Sequence, residues 1–542
     1  MAAAGMLALL SVLVALIVPP TDELPHCDDW DYVETARHFL STGRLVLSDW
    51  PAFTLIAHVL WGALFGAVLG PTYFAFRVSM YVMSWLGAVG LYEWGRRSGR
   101  GWRESVWIAA LIPLNPLNMV YQNSFMSDVT AVSAFIALLV LLLPIVRGPA
   151  HSVGTGLVSA FGYLARQTAI VPLIADCLLA LPGIVLRHRV DRRLLIVLVT
   201  FLPFVIAHWC WLQWSGVPYS QQLSAKTIIP GGEELLQRMT ILLLGTCLSS
   251  APFTLGWWSQ RQFRCTRRGI VLGTLLLGLV IGLNRGLPEP YARQEVFDLG
   301  TGFSDSIVEM QNLEGPAVTI GSHRFSIFRV VATLIALVSG LALSQMVATG
   351  ESRQRFRGNR GLQLAGLSTA ILVGLLLLAP TMHGRYVWPV VVASLMTLLM
   401  VVSPLERDVS PRLGAALMLV YAAFGVLGLQ DNSVCQRTVW QAIRQLEAQG
   451  IDPLQINAGL EYGGLRRFTP RYRGPENRGP YLGTLSPHQR DVEFVLYNPH
   501  NIFAPARDYS VTYGPLAGWE VMNRLPFESW WRRGEIYILK RQ

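Results

Sequence analysis

The chain has 542 residues, 52% of them hydrophobic and only 14% charged, with a formal net charge of +10 and a mean hydropathy of +0.40. So little charge, with apolar runs recurring along the whole length, excludes an ordinary soluble enzyme and specifies a polytopic α-helical membrane protein. The positive charge is then a topological signal that needs no nucleic-acid partner, and nearly all of it is arginine, with lysine only at Lys226 and Lys540.

Residues 2–18 are apolar and end at Pro19-Pro20. With no basic start and no small-residue cleavage site, they read as an uncleaved first span. A first outer loop, 19–51, carries His26-Cys27-Asp28-Asp29-Trp30-Asp31-Tyr32. Three carboxylates in four residues at a membrane surface are an unusual placement of negative charge. Low dielectric raises a carboxyl's pKa and makes a general base of it. The stretch from Asp31 to Leu40 reads as a short surface helix. Residues 52–69 are apolar but are broken by Gly70-Pro71, and they read as a helix lying in the interface.

Positive charge orders the later segments. Spans are expected near 72–94, 105–122, 129–146, 153–165, 168–186, 194–214, 239–258, 270–287, 327–348, 362–380, 387–403 and 413–430. The arginine clusters at 96–103, 187–193, 261–268, 353–360 and 407–412 then share one side, as the positive-inside rule requires. With the first span this gives about thirteen crossings, the N-terminus inside and the C-terminus outside. The membrane part is expected over 1–430 and an extracytoplasmic domain over 431–542. In that domain Val439 to Gln449 reads as a helix stopped by Gly450, while Val492 to Tyr497 and Glu535 to Leu539 read as strands, making a small α+β module. Cys27 and Cys435 fall on the same outer side, where a disulfide is open to them.

Ionisable residues at membrane depth are costly and usually functional. Besides Asp28 and Asp29, the outer ends of the expected spans carry Asp128, Arg166 and Arg385. Carboxylates suit a general base or a divalent metal, and guanidinium suits a phosphate oxygen. Each also has a plain structural reading: Asp128 as a helix cap, the arginines as snorkelling side chains. Their convergence with the acidic loop favours a site, while His383 reads as a structural residue and not a catalytic one. No Walker loop, HExxH, GxSxG or dinucleotide fingerprint competes with it. An enzyme without a nucleotide site at the outer face takes its donor from the lipid phase.

In the order and sidedness of these features the chain resembles the GT-C superfamily of lipid-linked glycosyltransferases. The likeness is to the bacterial branch similar to protein O-mannosyltransferases and the aminoarabinose transferase of lipid A. Asp28-Asp29-Trp30-Asp31-Tyr32 followed by Ala36-Arg37 resembles the family's first-loop Asp-Glu-x-x-Tyr element, and Met126-Ser127-Asp128 its Thr-Asp pair. Arg166-Gln167 and Arg385-Tyr386-Val387-Trp388-Pro389 resemble its later Arg-Gln and Arg-Tyr-x-x-Pro elements.

The resemblance implies an inverting transferase of the bacterial inner membrane that moves a hexose or pentose from a polyprenyl-phosphate carrier to an acceptor hydroxyl. The acceptor, whether lipid, glycan or protein, stays open. Asp28 would be the base, Arg166 and Arg385 would stabilise the leaving phosphate, and Tyr386 would donate a hydrogen bond to phosphate or sugar. Asp29 and Asp128 would orient Asp28 or the sugar, or help hold a divalent cation such as Mg or Mn. Where relatives carry Lys-Pro-Pro, this chain has Ser48-Asp49-Trp50-Pro51; Lys226 in the outer loop 215–238 could substitute, but it reads first as a solvated loop lysine. Two other readings compete: a transporter or flippase, which would place its charges near the midplane on broken helices, and a polysaccharide polymerase or ligase.

Overall fold

In a chain whose apolar segments cannot leave backbone groups to water, helices satisfy those groups internally, and helices dominate here. The computed structural model describes residues 1–48, 50, 51, 53–143, 148–187, 191–215, 231–260, 266–271, 273, 274, 327–347, 359–379, 384–402, 412–467, 508–516, 518–530 and 533–542. The helices are α1 (Ala2–Ile17), α2 (Asp29–Thr42), α3 (Ile56–Leu69), α4 (Tyr73–Arg97), α5 (Trp102–Ala109), α6 (Leu111–Leu114), α7 (Pro116–Gln122), α8 (Ser127–Leu142) and α9 (Pro149–Ala165). There follow α10 (Val171–Arg187), α11 (Arg192–Ser215), α12 (Gly232–Gln260), α13 (Ile327–Val347), α14 (Arg360–Leu377), α15 (Gly384–Val401), α16 (Arg412–Ala448) and α17 (Gly459–Arg467).

Among the described residues, six helices are long and apolar enough to cross a membrane, and a seventh crossing results if α7 and α8, bent by 116°, count as one span. Ala2–Ile17, Ile56–Leu69, Val330–Met346 and Tyr386–Val401 are shorter apolar helices. The span expected near 270–287 lies largely outside the described residues. The helix expected at 31–40 is α2, and its C-terminal Gly43 takes the left-handed conformation at φ 69°.

One expectation is corrected. Residues 105–122 are not a single helix but the succession α5, α6 and α7. Asn115 leaves the helical region at φ −79°, ψ 130°, and its side-chain oxygen accepts from the Leu117 N–H at 3.0 Å. Pro116 supplies the reason: it pushes the preceding residue out of the α region and then starts the next helix at no hydrogen-bonding cost.

The helices define two ends. The α4 and α8 helices lie side by side, Ser133 Oγ donating to the Met83 carbonyl at 2.8 Å and Arg97 Nη1 to the Val140 carbonyl at 2.8 Å. Beyond α4, Arg100 donates through Nη2 to the carbonyls of Leu399 (2.9 Å) and Val402 (2.6 Å) at the end of α15. Its guanidinium also pairs with Glu104 and lies 4.8 Å over the Trp257 ring near the end of α12. One buried arginine thus ties the C-terminal ends of three helices. Their N-terminal ends lie opposite, with the first loop: the Glu23 carboxylate accepts from the Tyr73 (2.8 Å) and Phe74 (3.0 Å) N–H groups at the start of α4.

The α16 helix runs unbroken from an apolar stretch into the C-terminal part of the chain. The helix expected at 439–449 is its last section, and Gly450 at φ 77° follows it. Strands β1 (Ile456–Asn457), β2 (Tyr509–Thr512), β3 (Trp519–Glu528) and β4 (Arg533–Arg541) form a sheet in the order β1-β2-β4-β3. Only the β1–β2 pair is parallel. The strand expected at 535–539 is the middle of β4, and the one at 492–497 lies outside the described residues. Val439, Ile443 and Leu446 of α16 pack on Val511, Ile536 and Ile538, and Leu24 of the first loop joins the same core.

Candidate functional site

The first loop turns into α2 at His26-Cys27-Asp28. Cys27 has φ 53°, a left-handed conformation that costs a non-glycine residue energy and persists only where surroundings enforce it. Asp29 does much of the enforcing: one carboxylate oxygen accepts from the His26 N–H at 2.6 Å and the other from the Phe125 N–H at 3.3 Å. It thereby fastens the loop to the turn before α8. The Asp31 carboxylate accepts from the Ser48 hydroxyl at 2.5 Å, and the Asp28 carboxylate from the Trp50 indole N–H at 3.2 Å. Trp50 in turn packs on Trp30, with ring centroids 5.6 Å apart.

Asp29 and Asp31 are fully buried, whereas Asp28 keeps 6% of its surface. Burial pushes the Asp29 carboxyl up to about 7, against the opposing pull of Arg77 and the two backbone N–H groups. Burial likewise pushes Asp31 up to about 7, with the Ser48 hydroxyl opposing it.

The arginine side of the site is built at the break between α9 and α10. Arg166 leaves the helix with extended backbone (φ −164°, ψ 126°) and donates to Asp128 at 2.7 Å and, more weakly, to the Ser127 hydroxyl at 3.4 Å. Both partners of this ion pair are buried. Asp128 is therefore not a helix cap: it sits in the first turn of α8, whose N-cap is Met126, and pairs across to the next helix. The guanidinium of Arg166 lies 3.7 Å from the Phe53 ring centroid and 5.3 Å from that of Tyr386. Beneath it His58, fully buried, has Nε2 3.2 Å from the Phe125 carbonyl and Nδ1 3.0 Å from the Thr130 hydroxyl. A carbonyl only accepts, so Nε2 carries the proton and the Thr130 hydroxyl donates to Nδ1.

Of the residues singled out from sequence, Asp28, Asp29, Asp128, Arg166 and Tyr386 come to one end of the helices. Two contact routes connect them. One runs from Asp28 through Trp50 and the short link to Phe53 and Arg166; the other runs from Asp29 through Phe125 to Asp128 and Arg166. Arg385 opens α15 beside Tyr386, but its side chain lies outside the described residues, as do His383 and Lys226. Cys27 and Cys435 are separate thiols, Cys435 lying 3.8 Å from the Tyr513 hydroxyl.

No family model and no curated protein matches the sequence. Among solved structures, ArnT from Cupriavidus metallidurans in the apo state is similar at 13% identity, with a TM-score of 0.44 over 99% of this chain and 98% of that one. AglB, the archaeal oligosaccharyltransferase from Archaeoglobus fulgidus in complex with an inhibitory peptide and a dolichol-phosphate, is similar at 14% identity, with a TM-score of 0.44 over 94% and 69% of the two chains. The arabinofuranosyltransferase AftD from Mycobacteria matches at 13% identity, with a TM-score of 0.37 over 99% of this chain and 40% of that one. All three are glycosyltransferases of the GT-C superfamily.

Among the described residues, no three His, Cys, Asp or Glu side chains converge as metal ligands would. The Asp29 carboxylate accepts from two backbone N–H groups, and Asp128 pairs with Arg166 through one oxygen while its Oδ2 is buried without a hydrogen-bond partner. Four contributors were not singled out from sequence. Trp50 stands in the stretch that replaces Lys-Pro-Pro, and Phe53 looked like part of an apolar run. Arg77, fully buried in α4, donates to the carbonyls of Asp22 and Leu24 at 2.5 Å each. A lone arginine in an apolar span was signal enough to find it. Glu461, buried in α17 at the far end of the sequence, carried no signal at all.

Proposed function

We propose that this chain is an inverting glycosyltransferase that moves a sugar from a polyprenyl-phosphate carrier to an acceptor hydroxyl at the outer face of the bacterial inner membrane. The observation that carries the reading is the joining of the acidic turn at Asp28 to Arg166 and Tyr386 through two short contact routes. A base and a phosphate-binding cation at one membrane-adjacent end are what transfer from a lipid phosphate requires.

In this mechanism Asp28 takes the proton of the acceptor hydroxyl as the oxygen attacks the anomeric carbon. The new C–O bond forms on the face opposite the leaving group, and the bond to the phosphate oxygen breaks, its electron pair departing with the polyprenyl phosphate. Asp28 is preferred over its neighbours because it keeps some exposure, while both oxygens of Asp29 hold backbone. Arg166 has one edge on Asp128, and a guanidinium carries five N–H donors, so a second edge can meet a phosphate oxygen. Arg385 and Tyr386 complete the phosphate site. The membrane part over 1–430 with about thirteen spans, and an extracytoplasmic domain over 431–542, form the topology that accompanies this reading.

The test is turnover of Asp28→Asn with a panel of radiolabelled polyprenyl-phosphate sugars. Loss of a positioned base costs about 10²–10⁴-fold, and the variant is expected to fold as the wild type does. Turnover within a few-fold of wild type would reject the assignment.

A further inference from the structure

Four residues between α2 and α3 touch both sides of the site: Ser48, Trp50, Phe53 and Thr54. The Ser48 hydroxyl donates to Asp31 Oδ1 at 2.5 Å and accepts from the Trp50 backbone N–H at 3.1 Å. The Trp50 indole N–H donates in turn to Asp28 Oδ1 at 3.2 Å. Phe53 lies against the Arg166 guanidinium, and the Thr54 hydroxyl donates to the Tyr163 carbonyl of α9 at 2.5 Å. The Trp50 ring packs on Trp30 with 48° between their planes. Trp30 has no room to retreat, because a Cβ added to Gly464 of α17 would stand 2.4 Å from its ring.

We propose that Trp50 is a positioning residue: its indole N–H sets the plane of the Asp28 carboxylate, and the bond from Ser48 to Asp31 holds Trp50 in place to do so. The use of Asp28 as a base rests on the transferase reading above; the chain of bonds from Asp31 through Ser48 and Trp50 to Asp28 does not.

The physical case has three parts. Asp28 stands at the N-cap of α2, where an aspartate ordinarily accepts from its own helix, yet its side chain makes no capping bond. It meets an indole instead, and an indole N–H can only donate, so the contact is one that a carboxylate satisfies. Asp31 follows Asp28 by one helical turn and faces the same stretch of chain. Its Oδ2 is buried without a hydrogen-bond partner, which leaves Ser48 as the donor that meets this carboxyl, and stranding it altogether would be costly. The single proton of the Ser48 hydroxyl is therefore spent on Asp31, and its lone pairs are left for the Trp50 N–H.

The experiment uses the full-length protein in nanodiscs with nitrogen-15 in its tryptophan indoles. It reads hydrogen exchange of the Trp50 indole N–H alongside sugar transfer, and Trp50→Phe identifies that signal by removing it. Ser48→Ala and Asp28→Ala are each expected to speed indole exchange by roughly ten-fold or more, the worth of a hydrogen bond to a charged group, while the amides of α4 and α8 stay protected. Asp31→Asn, whose amide oxygen still accepts from Ser48, is expected to keep the indole protected. Trp50→Phe keeps a ring on Trp30 and loses only the donor. Its kcat should fall on the order of 10²-fold with donor KM little changed, because the base is misdirected while the groups that bind the donor stay in place. If phenylalanine unfolds the protein, as loss of α4 protection would reveal, Trp50→Met replaces it, since methionine fills irregular space more freely. Unchanged indole exchange in folded Ser48→Ala or Asp28→Ala overturns the bond chain whether or not any sugar is transferred. Wild-type kcat in Trp50→Phe overturns the positioning role. An indole protected in the wild type and loosened by Ser48→Ala, with no turnover on any lipid-phosphate sugar, would instead count against the transferase reading and leave the bond chain standing.

Discussion

Asp29 and Asp31 make the acidic turn sensitive to pH in a direction that can be worked out. Each carboxyl is pushed up to about 7 in the folded protein, chiefly by burial, against about 3.9 in an unfolded chain. Between those values the native state holds protons that the unfolded chain has released. The stability contributed is therefore complete below about 4 and is lost as pH rises through about 7. Asp31→Asn tests this well: its amide oxygen can still accept from Ser48, and it has no charge to titrate. Local exchange of residues 26–36, corrected for intrinsic rates, should rise with pH in the wild type and rise less in the variant; parallel slopes would refute the account. The Asp128–Arg166 pair allows a sharper separation of structure from chemistry. Removing one partner of a buried pair strands the other charge, at about 3–5 kcal/mol, whereas an apolar pair of similar volume is often tolerated. Asp128→Ala should thus lower the thermal midpoint markedly. The double variant Asp128→Leu/Arg166→Met should recover most of it while turnover stays lost. A double variant that regained turnover would remove Arg166 from the phosphate site.

At the scale of elements, what the sequence disclosed was set by which signals act locally. The α2 helix, the break at Arg166 and β4 were legible because caps, a charged residue between apolar runs and residue alternation are written in neighbouring positions. The division of 105–122 into three helices was missed, although Pro113 and Pro116 are plain, because hydropathy averaging passes over a proline whose backbone cost is met by Asn115. The Asp29 tether to Phe125 and the Asn432 contact with His26 could not have been read, since partners so far apart in the chain meet only through packing. Packing also sets the next prediction. Gly62 on α3 lies where a Cβ would come 2.2 Å from the Phe125 ring, and Phe125 supplies the N–H that holds Asp29. Gly62→Val must move that ring or the helix, a strain of about 1–3 kcal/mol. It should destabilise the protein and reduce turnover together. Full turnover in a folded Gly62→Val variant would mean that the seat of Asp29 tolerates displacement, which a tether essential to the turn would not.

For the molecule as a whole, the question is which end faces out. The buried Arg100 gathers the C-terminal ends of α4, α12 and α15. The acidic turn, Asp128, Arg166 and Tyr386 gather at the opposite ends of the helices. Arg97 and Arg193, from two of the basic clusters, reach the Val140 and Leu141 carbonyls at the Arg100 end, and cytoplasmic loops are the ones enriched in basic residues. In the topology proposed above, the acidic end is the extracytoplasmic one. The first loop and the tail must share that side, because Arg437 pairs with Asp22 at 2.7 Å and Leu24 is buried in one core with Val439, Val511 and Ile538. With lysine only at positions 226 and 540, the chain offers a direct probe. Lys540 is exposed at the end of β4, and Lys226 belongs to a loop expected on the same face. A membrane-impermeant amine reagent applied to spheroplasts should modify Lys540 before the membrane is breached, and mass spectrometry of the C-terminal peptide reads the result. Modification only after permeabilisation would turn Asp28 toward the cytoplasm. A donor presented at the outer leaflet could then no longer reach it, and the acceptor would have to be sought among cytoplasmic hydroxyls.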